Sequence, residues 1–305
     1  MLDPMEQSPA KFLFTAHDNR GKAGDFDYYE AKNGLVFIDR IPEDLGRYYE
    51  GGYDPIPNDE AGLARLSGED AYKIDAIRRL KPAGRYLEIG PWIGKAAYQA
   101  HKAGYQVSTL EQNQSCVDLM RLVGIDAIQT ADPATALRGL RTEGRTFDAI
   151  ALWHSIEHLP RPWEVLAEAM EALAPGGILL VSAPNPQSAQ FRIFGQRWFH
   201  LDAPRHLYLL PISVVKSIGE RHGMKMLEAT TDDVRGVVED DHAWWWQVHR
   251  VLRHIPVARR LVPPFLAPRL KKRFRRPDAL DGASYTVTLQ KSAASSALSG
   301  AAHAT

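Results

Sequence analysis

Residues 70–232 alternate between two patterns of apolar and polar positions. Short apolar runs typical of strands occupy 86–89, 106–110, 126–129, 147–153, 178–183 and 224–230. Segments with helical spacing lie between them, at 72–80, 95–103, 115–123, 163–174 and 212–222, and glycine or proline ends most of them. This alternation predicts an α/β, doubly wound, mostly parallel sheet that binds its ligand at the carboxyl ends of the strands.

Composition divides the chain into four parts. An apolar run at 35–38 follows Asn33 and Gly34 and predicts a strand after a turn. Residues 285–291 read YTVTLQK, and this late alternating run predicts an antiparallel strand at an edge of the sheet. The predicted parts are an N-terminal region 1–70, a sheet domain 71–232 completed by 283–291, an insertion 233–282 and a disordered tail 292–305.

The overall composition is that of a globular protein without a strong net electrostatic field. Hydrophobic residues make up 45% of the 305 and charged residues 24%, and the formal net charge is zero. The single cysteine, Cys116, excludes an internal disulfide and a zinc site of several cysteines. We find no signal peptide and no apolar run of about 20 residues, so a cytoplasmic location is predicted.

A glycine loop follows the first strand of the alternating region. Gly90 and Gly94 bracket the sequence Pro-Trp-Ile, at the point where a strand gives way to a helix. Such a loop lets a ligand approach the N-terminus of the helix closely. Glu88 would point into this pocket, and Glu111, which closes the second strand, would accept hydrogen bonds from both hydroxyls of a ribose. Alternatively, Glu88 and Glu111 are ordinary solvated charges at strand ends.

Several motifs together resemble the class I S-adenosylmethionine-dependent methyltransferases, in the ubiquinone-biosynthesis-type and glycan-cluster branch. They are Glu88-x-Gly90-x-x-x-Gly94, then Glu111, Asp132, FDAIALWHSIEHL and LAPGGILLVSAPNP. The resemblance covers about residues 70–232 and the late strand. It implies a Rossmann-like sheet of seven strands with an antiparallel last strand, S-adenosyl-L-methionine as cofactor, and methyl transfer to a hydroxyl of a small-molecule, glycan or lipid-linked acceptor. Carbon and nitrogen acceptors stay open.

The resemblance also implies how the first strand, its loop and the second strand hold the cofactor. Glu88 would bind the methionine ammonium through water, and Glu111 the ribose. Gly90, Pro91 and Gly94 would shape the loop. Trp92 stands where the family has its middle glycine, and a tryptophan would be strained there if the backbone needs a positive φ. It is read either as an apolar wall beside the methionine part or as a residue packed beneath the first helix.

Four further residues are implied to surround the cofactor. Gln112 would lie against the adenine, and Trp153 and His154 would line the opposite side. Asp132 would face the adenine amino group, or would only cap the helix that follows it. These two interpretations of Asp132 carry equal weight.

Histidines on two predicted loops supply the candidate catalytic groups. The loops read WHSIEHL, with His154, Glu157 and His158, and FHLDAPRHLYLLP, with His200, Asp202, Arg205, His206 and Tyr208. An oxygen nucleophile needs a base to take its proton, and His158 is the first candidate and His206 the second. A structural role is the commoner one for any single histidine, whereas the clustering favours at least one that acts on the acceptor. The spacing lacks a metal signature, so no metal is predicted.

The N-terminal region resembles the end of a small zinc-ribbon module that precedes some sugar methyltransferase domains. The usual cysteine pairs are absent, so we expect a zinc-free remnant that covers the active site. Tyr48, Tyr49 and Tyr53 would reach the pocket, unless they are ordinary packing aromatics.

The insertion holds a basic and aromatic segment, residues 242–277. It contains ten lysines and arginines, three consecutive tryptophans and no acidic residue. This composition is typical of an element on an anionic membrane surface, with residues 271–276 on the headgroups, although Arg253 and several prolines forbid a spanning helix. A lid or dimer contact is a close alternative, and nucleic acid a weaker one.

Two other functions stay open at this point. A nicotinamide-dependent oxidoreductase is disfavoured because the loop lacks Gly-x-Gly-x-x-Gly and because the late antiparallel strand has no role there. A catalytically silent scaffold at the membrane surface would retain the fold and lose the cofactor, and Trp92 in the loop is its best support.

Overall fold

The computed structural model of the chain describes residues 1–17, 24–49, 55–252, 255, 257, 263–276 and 279–293. Its strands are β1 (Lys11–His17), β2 (Asp25–Glu30), β3 (Val36–Ile38), β4 (Arg85–Ile89), β5 (Gln106–Glu111), β6 (Asp126–Gln129), β7 (Phe147–Trp153), β8 (Leu173–Pro184), β9 (Tyr208–Leu209), β10 (Met224–Thr230) and β11 (Ser284–Lys291). Its helices are α1 (Glu60–Ser67), α2 (Ala71–Arg78), α3 (Lys95–Lys102), α4 (Gln114–Leu122), α5 (Pro133–Thr142), α6 (Pro162–Ala172), α7 (Ala189–Phe194), α8 (Ile212–Arg221), α9 (Val234–Val251) and α10 (Pro263–Phe274).

The main sheet has seven strands in the order β10-β11-β8-β7-β4-β5-β6. The strands from β8 to β6 are parallel, and β11 is antiparallel to both of its neighbours, which confirms the predicted fold class. The predicted edge position of the last strand was wrong, because β11 lies between β8 and β10. Thr286 and Thr288 look solvent-facing in the alternation, but both are buried on the second face of the sheet.

Strand β8 also differs from its prediction. It begins at Leu173, so that the sequence Pro-Gly-Gly, expected to be a turn before 178, lies within the strand. The register against β7 shifts between Phe147 and Ala149, which accommodates the extra residues as an irregularity of the pairing.

The two faces of the sheet carry separate apolar cores. Leu87 and Ile89 of β4 pack in the core on the side of α5, α6 and α8, whereas Tyr86 packs on the side of α1 to α4. Glu88 shares the face of Tyr86 because side chains alternate along a strand. This alternation decides the surroundings of the predicted cofactor carboxylate.

The N-terminal strands form a second sheet in the order β1-β2-β3-β9. Strand β9 belongs to the segment between β8 and α8, and it pairs with β3 through Val36 and Phe37. The buried Tyr28 hydroxyl also donates to the carbonyl of His206, at 3.2 Å. The N-terminal sheet is therefore joined to the segment that carries the second candidate histidine.

Helices α9 and α10 of the insertion form an antiparallel hairpin. Trp244 is fully buried and stacks on Phe274, while Val248 packs with Ala267. In the described part of the chain, no helix has the length and apolar character needed to cross a bilayer. Tyr53, Arg253 and almost all of the predicted tail 292–305 lie outside the described residues.

Candidate active site

The glycine loop after β4 adopts left-handed backbone at every second residue. The φ angles are 69° at Gly90, 54° at Trp92 and 77° at Gly94. Trp92 thus occupies a conformation that costs a non-glycine residue roughly 1–3 kcal/mol. Its N–H donates to Oε2 of Glu111 at 3.0 Å, and its indole packs on the apolar core beneath α1 to α4. These contacts hold the strained residue, and they agree with the packing interpretation of Trp92.

Both glycines are required by close approach as well as by φ. A Cβ on Gly90 would lie 2.7 Å from Cβ of Ser155, and one on Gly94 would lie 2.7 Å from the sulfur of Met120. Ser155 is itself fixed, since its hydroxyl donates to the carbonyl of Ile89 at 2.6 Å. The loop is therefore rigidly backed by the segment that follows β7.

Glu111 ends β5 beside this loop, as predicted. Its Oε1 accepts from the N–H of Asn113 at 2.8 Å, while Oε2 accepts from Trp92. A carboxylate offers about four acceptor positions, and the backbone donors Trp92, Asn113 and Gln112 leave room for a ribose hydroxyl. Burial raises the pKa of Glu111, and the backbone donors around it oppose that rise. The remaining acceptor capacity of Glu111 therefore fits the nucleoside part of the predicted cofactor.

Glu88 lies in a buried network on the other side of the loop. Its Oε2 accepts from the hydroxyl of Tyr86 at 3.1 Å, and that hydroxyl accepts from Nε1 of Trp153 at 3.2 Å. Burial raises the pKa of Glu88 to about 7, although Lys73 beside it favours the charged form. Lys73 pairs with Asp70 at 2.9 Å. A methionine ammonium placed here would complement the buried carboxylate.

This network holds residues that the sequence patterns did not single out. Lys73, Asp70 and Tyr86 surround Glu88, and Nζ of Lys73 lies 5.6 Å from the ring centre of Trp153. Tyr86 could have been inferred, because it lies two residues before Glu88 on the same face of β4. The contact of Trp153 with Tyr86 is an observed structural role, and its predicted contact with the cofactor stays a prediction.

Gln112 and Asp132 follow the carboxyl ends of β5 and β6. Asp132 is the N-cap of α5: its carboxylate accepts from the N–H of Thr135 at 3.3 Å and from the hydroxyl at 2.8 Å. Arg161 approaches it to 3.5 Å, and the hydrogen bond from Thr135 is the main cause of its lowered pKa. The capping interpretation is thus observed, while the adenine contacts of Asp132 and of the exposed Gln112 remain predictions.

His154 and Glu157 begin the second part of the site, at the carboxyl end of β7. His154 has a φ of 52°, and its Nε2 lies 3.1 Å from the hydroxyl of Ser182. Its Nδ1 lies 3.8 Å from Oε1 of Glu157, which is 1% exposed. The segment then forms a short 3-10 turn, Ile156–His158, and not a regular helix.

The two candidate bases, His158 and His206, lie against each other. Their rings meet edge to face with centroids 4.7 Å apart. Nδ1 of His158 is 3.0 Å from the carbonyl of Arg205, and Nδ1 of His206 is 2.7 Å from the carbonyl of His200. A carbonyl only accepts, so we assign the proton to Nδ1 and the lone pair to Nε2 in each ring. Burial lowers the pKa of both histidines, which keeps them neutral.

The N-terminal region contacts these histidines through Tyr49, which ends the 3-10 turn Leu45–Tyr49 after β3. The hydroxyl of Tyr49 lies 3.0 Å from Nδ1 of His158, and the guanidinium of Arg205 lies 6.0 Å from the centre of the Tyr49 ring. Arg205 is 3% exposed and pairs with Asp202. Tyr49 therefore contacts the first candidate base, and its place in an acceptor pocket stays a prediction. Tyr48 packs edge to face with Phe26 of the N-terminal sheet, 6.1 Å between centroids.

One group of side chains has the geometry to hold a metal ion. One ligand atom from each of Glu157, His158 and His206 lies within 4.8 Å of the other two. Neutral imidazoles and a carboxylate suit zinc or manganese. The sequence spacing did not reveal this group, because His206 comes from a separate loop. The prediction of no metal remains untested.

Comparison with known proteins identifies the family. The model of a family described as "Methyltransferase domain" matches residues 62–229, more than half of the chain. The chain belongs to this methyltransferase family. This membership supports an enzyme that takes its methyl group from S-adenosyl-L-methionine, and the nicotinamide alternative is set aside.

Curated relatives match a part of the chain. It is 29% identical over 118 residues to a ubiquinone biosynthesis O-methyltransferase of Xanthomonas axonopodis pv. citri, which is 38% of this chain and 49% of that protein. The enzyme of the same name from Hahella chejuensis is 27% identical over 139 residues, 44% and 58% of the two chains. The chain thus spans about half the length of the curated relatives that it matches.

Solved structures show similar sheets at low identity. A SAM-dependent methyltransferase from Archaeoglobus fulgidus aligns with a TM-score of 0.48 at 18% identity, over 82% of this chain and all of that one. Magnesium protoporphyrin IX methyltransferase from Synechocystis with bound SAH aligns with a TM-score of 0.47 at 11% identity, over 81% and 93%.

Proposed function

We propose that the protein transfers a methyl group from S-adenosyl-L-methionine to a hydroxyl of a small-molecule acceptor, which includes glycan and lipid-linked compounds. The observation that carries this proposal is the convergence of Glu157, His158 and His206, with Tyr49 of the N-terminal region beside them. Transfer to oxygen is also what the names of the curated relatives describe. We place the protein in the cytoplasm, where a free, buried Cys116 stays reduced.

The loop and its two carboxylates would bind the cofactor. Glu111 would accept from the ribose hydroxyls, Gly90 and Gly94 would let the backbone approach, and Glu88 would face the methionine ammonium. The cofactor supplies a methyl group already activated on a sulfonium. The protein therefore mainly has to align the acceptor oxygen with that methyl and exclude water.

His158 would remove the proton of the acceptor. Its Nδ1–H faces the carbonyl of Arg205, which orients the ring and leaves the lone pair on Nε2. The hydroxyl loses its proton to this nitrogen as its oxygen bonds to the methyl carbon. Transfer of the methyl group from the sulfonium would leave a methyl ether and a neutral thioether, and the protonated histidine would return its proton to water. His206 would occupy the same role if the acceptor lies nearer to β9.

The carboxylates beside His206 would favour proton transfer to this second candidate base. Oε1 of Glu157 lies 4.0 Å from Nε2 of His206, and Asp202 approaches the same nitrogen to 3.8 Å. Carboxylates at this distance stabilise an imidazolium as it forms. Because burial opposes the charge, the imidazolium would be short-lived and the site would return to its neutral state.

A second mechanism rests on the same residues. A divalent cation held by Glu157, His158 and His206 would lower the pKa of the acceptor hydroxyl and make a base unnecessary. The two mechanisms predict different responses to chelation, described below.

The proposed function is tested by cofactor binding followed by an acceptor screen. Calorimetric titration should show micromolar binding of S-adenosylhomocysteine, with NAD as the control ligand that does not bind. Methyl-labelled cofactor should then label hydroxyl compounds, and O-methylated analogues of the same compounds should stay unlabelled. Binding without transfer to any hydroxyl would contradict O-methylation, and absence of binding would favour the silent scaffold.

A further inference from the structure

Apolar side chains are exposed on described residues between the end of α9 and the first turn of α10. We call this group the hairpin tip and define it by Ile255, Val257, Phe265 and Leu266. Val257 is 70% exposed, Phe265 66% and Ile255 55%. Large apolar side chains that are exposed together mark an interaction site.

The positive charge of the hairpin is distributed unevenly along its length. At the end near the main sheet, Lys271 pairs with Asp240 at 3.2 Å and with Asp241 at 2.7 Å. Arg275 likewise pairs with Asp232 at 2.8 Å. These contacts correct the expectation that residues 271–276 form one patch for lipid headgroups, because several of these cations are neutralised by the protein itself.

The basic residues further along face a different situation. Residues 242–276 contain no Asp or Glu, so the acids of α9, Glu239 to Asp241, all lie toward the end near the main sheet. Arg269, Lys272 and Arg273 are exposed on α10, and Arg269 donates to the carbonyl of the exposed Phe265 at 2.8 Å, one turn away. Exposed apolar side chains with lysine and arginine on the same helix are the composition of elements that enter the headgroup region of a bilayer.

The hairpin also contacts the segment between β8 and α8, residues 185–211, which we call the acceptor segment. Gln247 donates to the carbonyl of Arg197 at 2.5 Å, and Trp246 packs 5.3 Å from the ring of Phe199. Phe199 in turn lies 5.0 Å from the ring of His200, whose carbonyl positions His206. A surface bound at the tip would therefore hold the acceptor segment at a fixed distance from it.

We propose that the hairpin tip docks on an anionic lipid bilayer. Phe265 and Leu266 would lie at the boundary between headgroups and acyl chains, and Arg269 and Lys272 would contact the lipid phosphates. The exposed cations Arg269 and Lys272 complement such a surface. A hydrated polyanion such as a nucleic acid would leave the exposed apolar side chains without an apolar partner. The hairpin rests on the surface and does not span it. The inference is independent of the acceptor chosen above.

Vesicle sedimentation tests the proposal on the full chain. Vesicles of phosphatidylcholine with about one third phosphatidylglycerol should pellet the protein, and vesicles of phosphatidylcholine alone should pellet it at least about tenfold less. Raising the salt from about 0.1 M to about 0.5 M should weaken the binding, because the phosphate contacts are screened.

Matched variants separate the tip from the rest of the surface. Phe265→Ser with Leu266→Ser, and separately Arg269→Glu with Lys272→Glu, should each lower vesicle binding about tenfold or more. Leu122→Ser removes a side chain that is 65% exposed on α4, and Lys32→Glu reverses an exposed cation of the N-terminal region. Both controls should bind vesicles as the unaltered chain does, and unchanged binding of S-adenosylhomocysteine would show that every variant is folded.

Three results would overturn the proposal. The first is equal pelleting of the tip variants and the controls. The second is absence of vesicle binding together with a dimer, seen by sedimentation equilibrium, that the Phe265→Ser variant dissociates; the tip would then contact a second copy. The third is absence of vesicle binding with salt-sensitive binding of a single-stranded RNA homopolymer.

Discussion

The hydroxyl of Tyr49 lies 3.0 Å from Nδ1 of His158, although 109 residues separate them in the chain. The same nitrogen faces the carbonyl of Arg205, so two elements fix the orientation of one imidazole. One of them belongs to the N-terminal region and the other to the segment before β9. The proposed base is thus oriented by parts of the chain that are distant in sequence.

Tyr49→Phe should lower kcat about 3- to 10-fold, the usual effect of one hydrogen bond, because the ring of His158 loses one of its two positioning contacts. Binding of S-adenosylhomocysteine should be unchanged, since Tyr49 contacts the acceptor side. Tyr48→Phe is the matched control, because its hydroxyl bonds to Arg47 and not to a histidine. A higher KM for the cofactor with an unchanged kcat would contradict the assigned role.

Glu111→Gln should weaken binding of S-adenosylhomocysteine about 10- to 100-fold, since hydrogen bonds to a charged carboxylate are each worth about 1.5–3 kcal/mol. Asp132→Asn is the control, because asparagine caps a helix as well as aspartate does. Calorimetry on both variants also decides between the two interpretations of Asp132. Unaltered affinity in Asp132→Asn would leave it a helix cap, and an equal loss would place it on the adenine.

Trp92→Gly and Trp92→Ala should differ in stability although both lose the indole. Each variant loses the packing of the ring, but only glycine relieves the backbone at a φ of 54°. The glycine variant should therefore be more stable than the alanine variant by about 1 kcal/mol in urea unfolding. Equal stabilities would show that the left-handed conformation carries no strain. Both variants should bind S-adenosylhomocysteine if the strain serves packing rather than the cofactor.

Glu88 should make cofactor binding depend on pH. Burial raises its pKa to about 7 in the free protein, and a neighbouring ammonium favours the ionised form. Affinity for S-adenosylhomocysteine should therefore rise between about pH 6 and pH 8 and then level off, whereas Glu88→Gln should show little slope. An equal slope in both proteins would assign the titration to another group.

The same raised pKa has the opposite effect on the free protein. The folded state holds the Glu88 proton more tightly than the unfolded chain, so this group stabilises the fold fully below pH 4.5 and loses that contribution as pH rises through about 7. The free energy of unfolding, measured in urea without cofactor, should fall less over this interval in Glu88→Gln. A larger fall in the variant would contradict the burial of the carboxylate.

Chelation separates the two mechanisms at the histidine cluster. If His158 acts as a base, dialysis against EDTA should leave kcat unchanged. If a cation acts there, EDTA should abolish transfer, and added zinc, manganese or magnesium should restore it, while binding of S-adenosylhomocysteine persists in both cases. Glu157→Gln then serves as a check, because it should remove the metal response entirely.

Local patterns predicted much of the fold but little of what surrounds each site residue. The strands at 126–129, 147–153 and 224–230 have the predicted bounds, because apolar runs and glycine ends are signals within the sequence. The helix at 133–142 follows the capping Asp132 but was not recognised as an element. The edge position of the last strand was wrong, because burial of Thr286 and Thr288 depends on a neighbouring strand that local pattern does not specify.

The site shows the same division. Glu111 and the two glycines could be placed from their spacing, since loop geometry depends on adjacent residues. The meeting of His158 with His206, and of Glu88 with Lys73, depends on how separate segments pack. Distances of this kind are properties of the tertiary structure, and spacing alone could not reveal them.

The pairing of β3 with β9 bears on how this enzyme can be rebuilt or can diverge. The N-terminal sheet and the acceptor segment share a ladder and the Tyr28 contact to the His206 carbonyl, so neither can be exchanged without the other. A chimera that imports only the nucleotide-binding core should bind the methyl donor, yet its substrate preference would be undefined. The N-terminal sheet and the acceptor segment therefore form one structural unit. Changes of substrate in relatives of this architecture should alter both parts together.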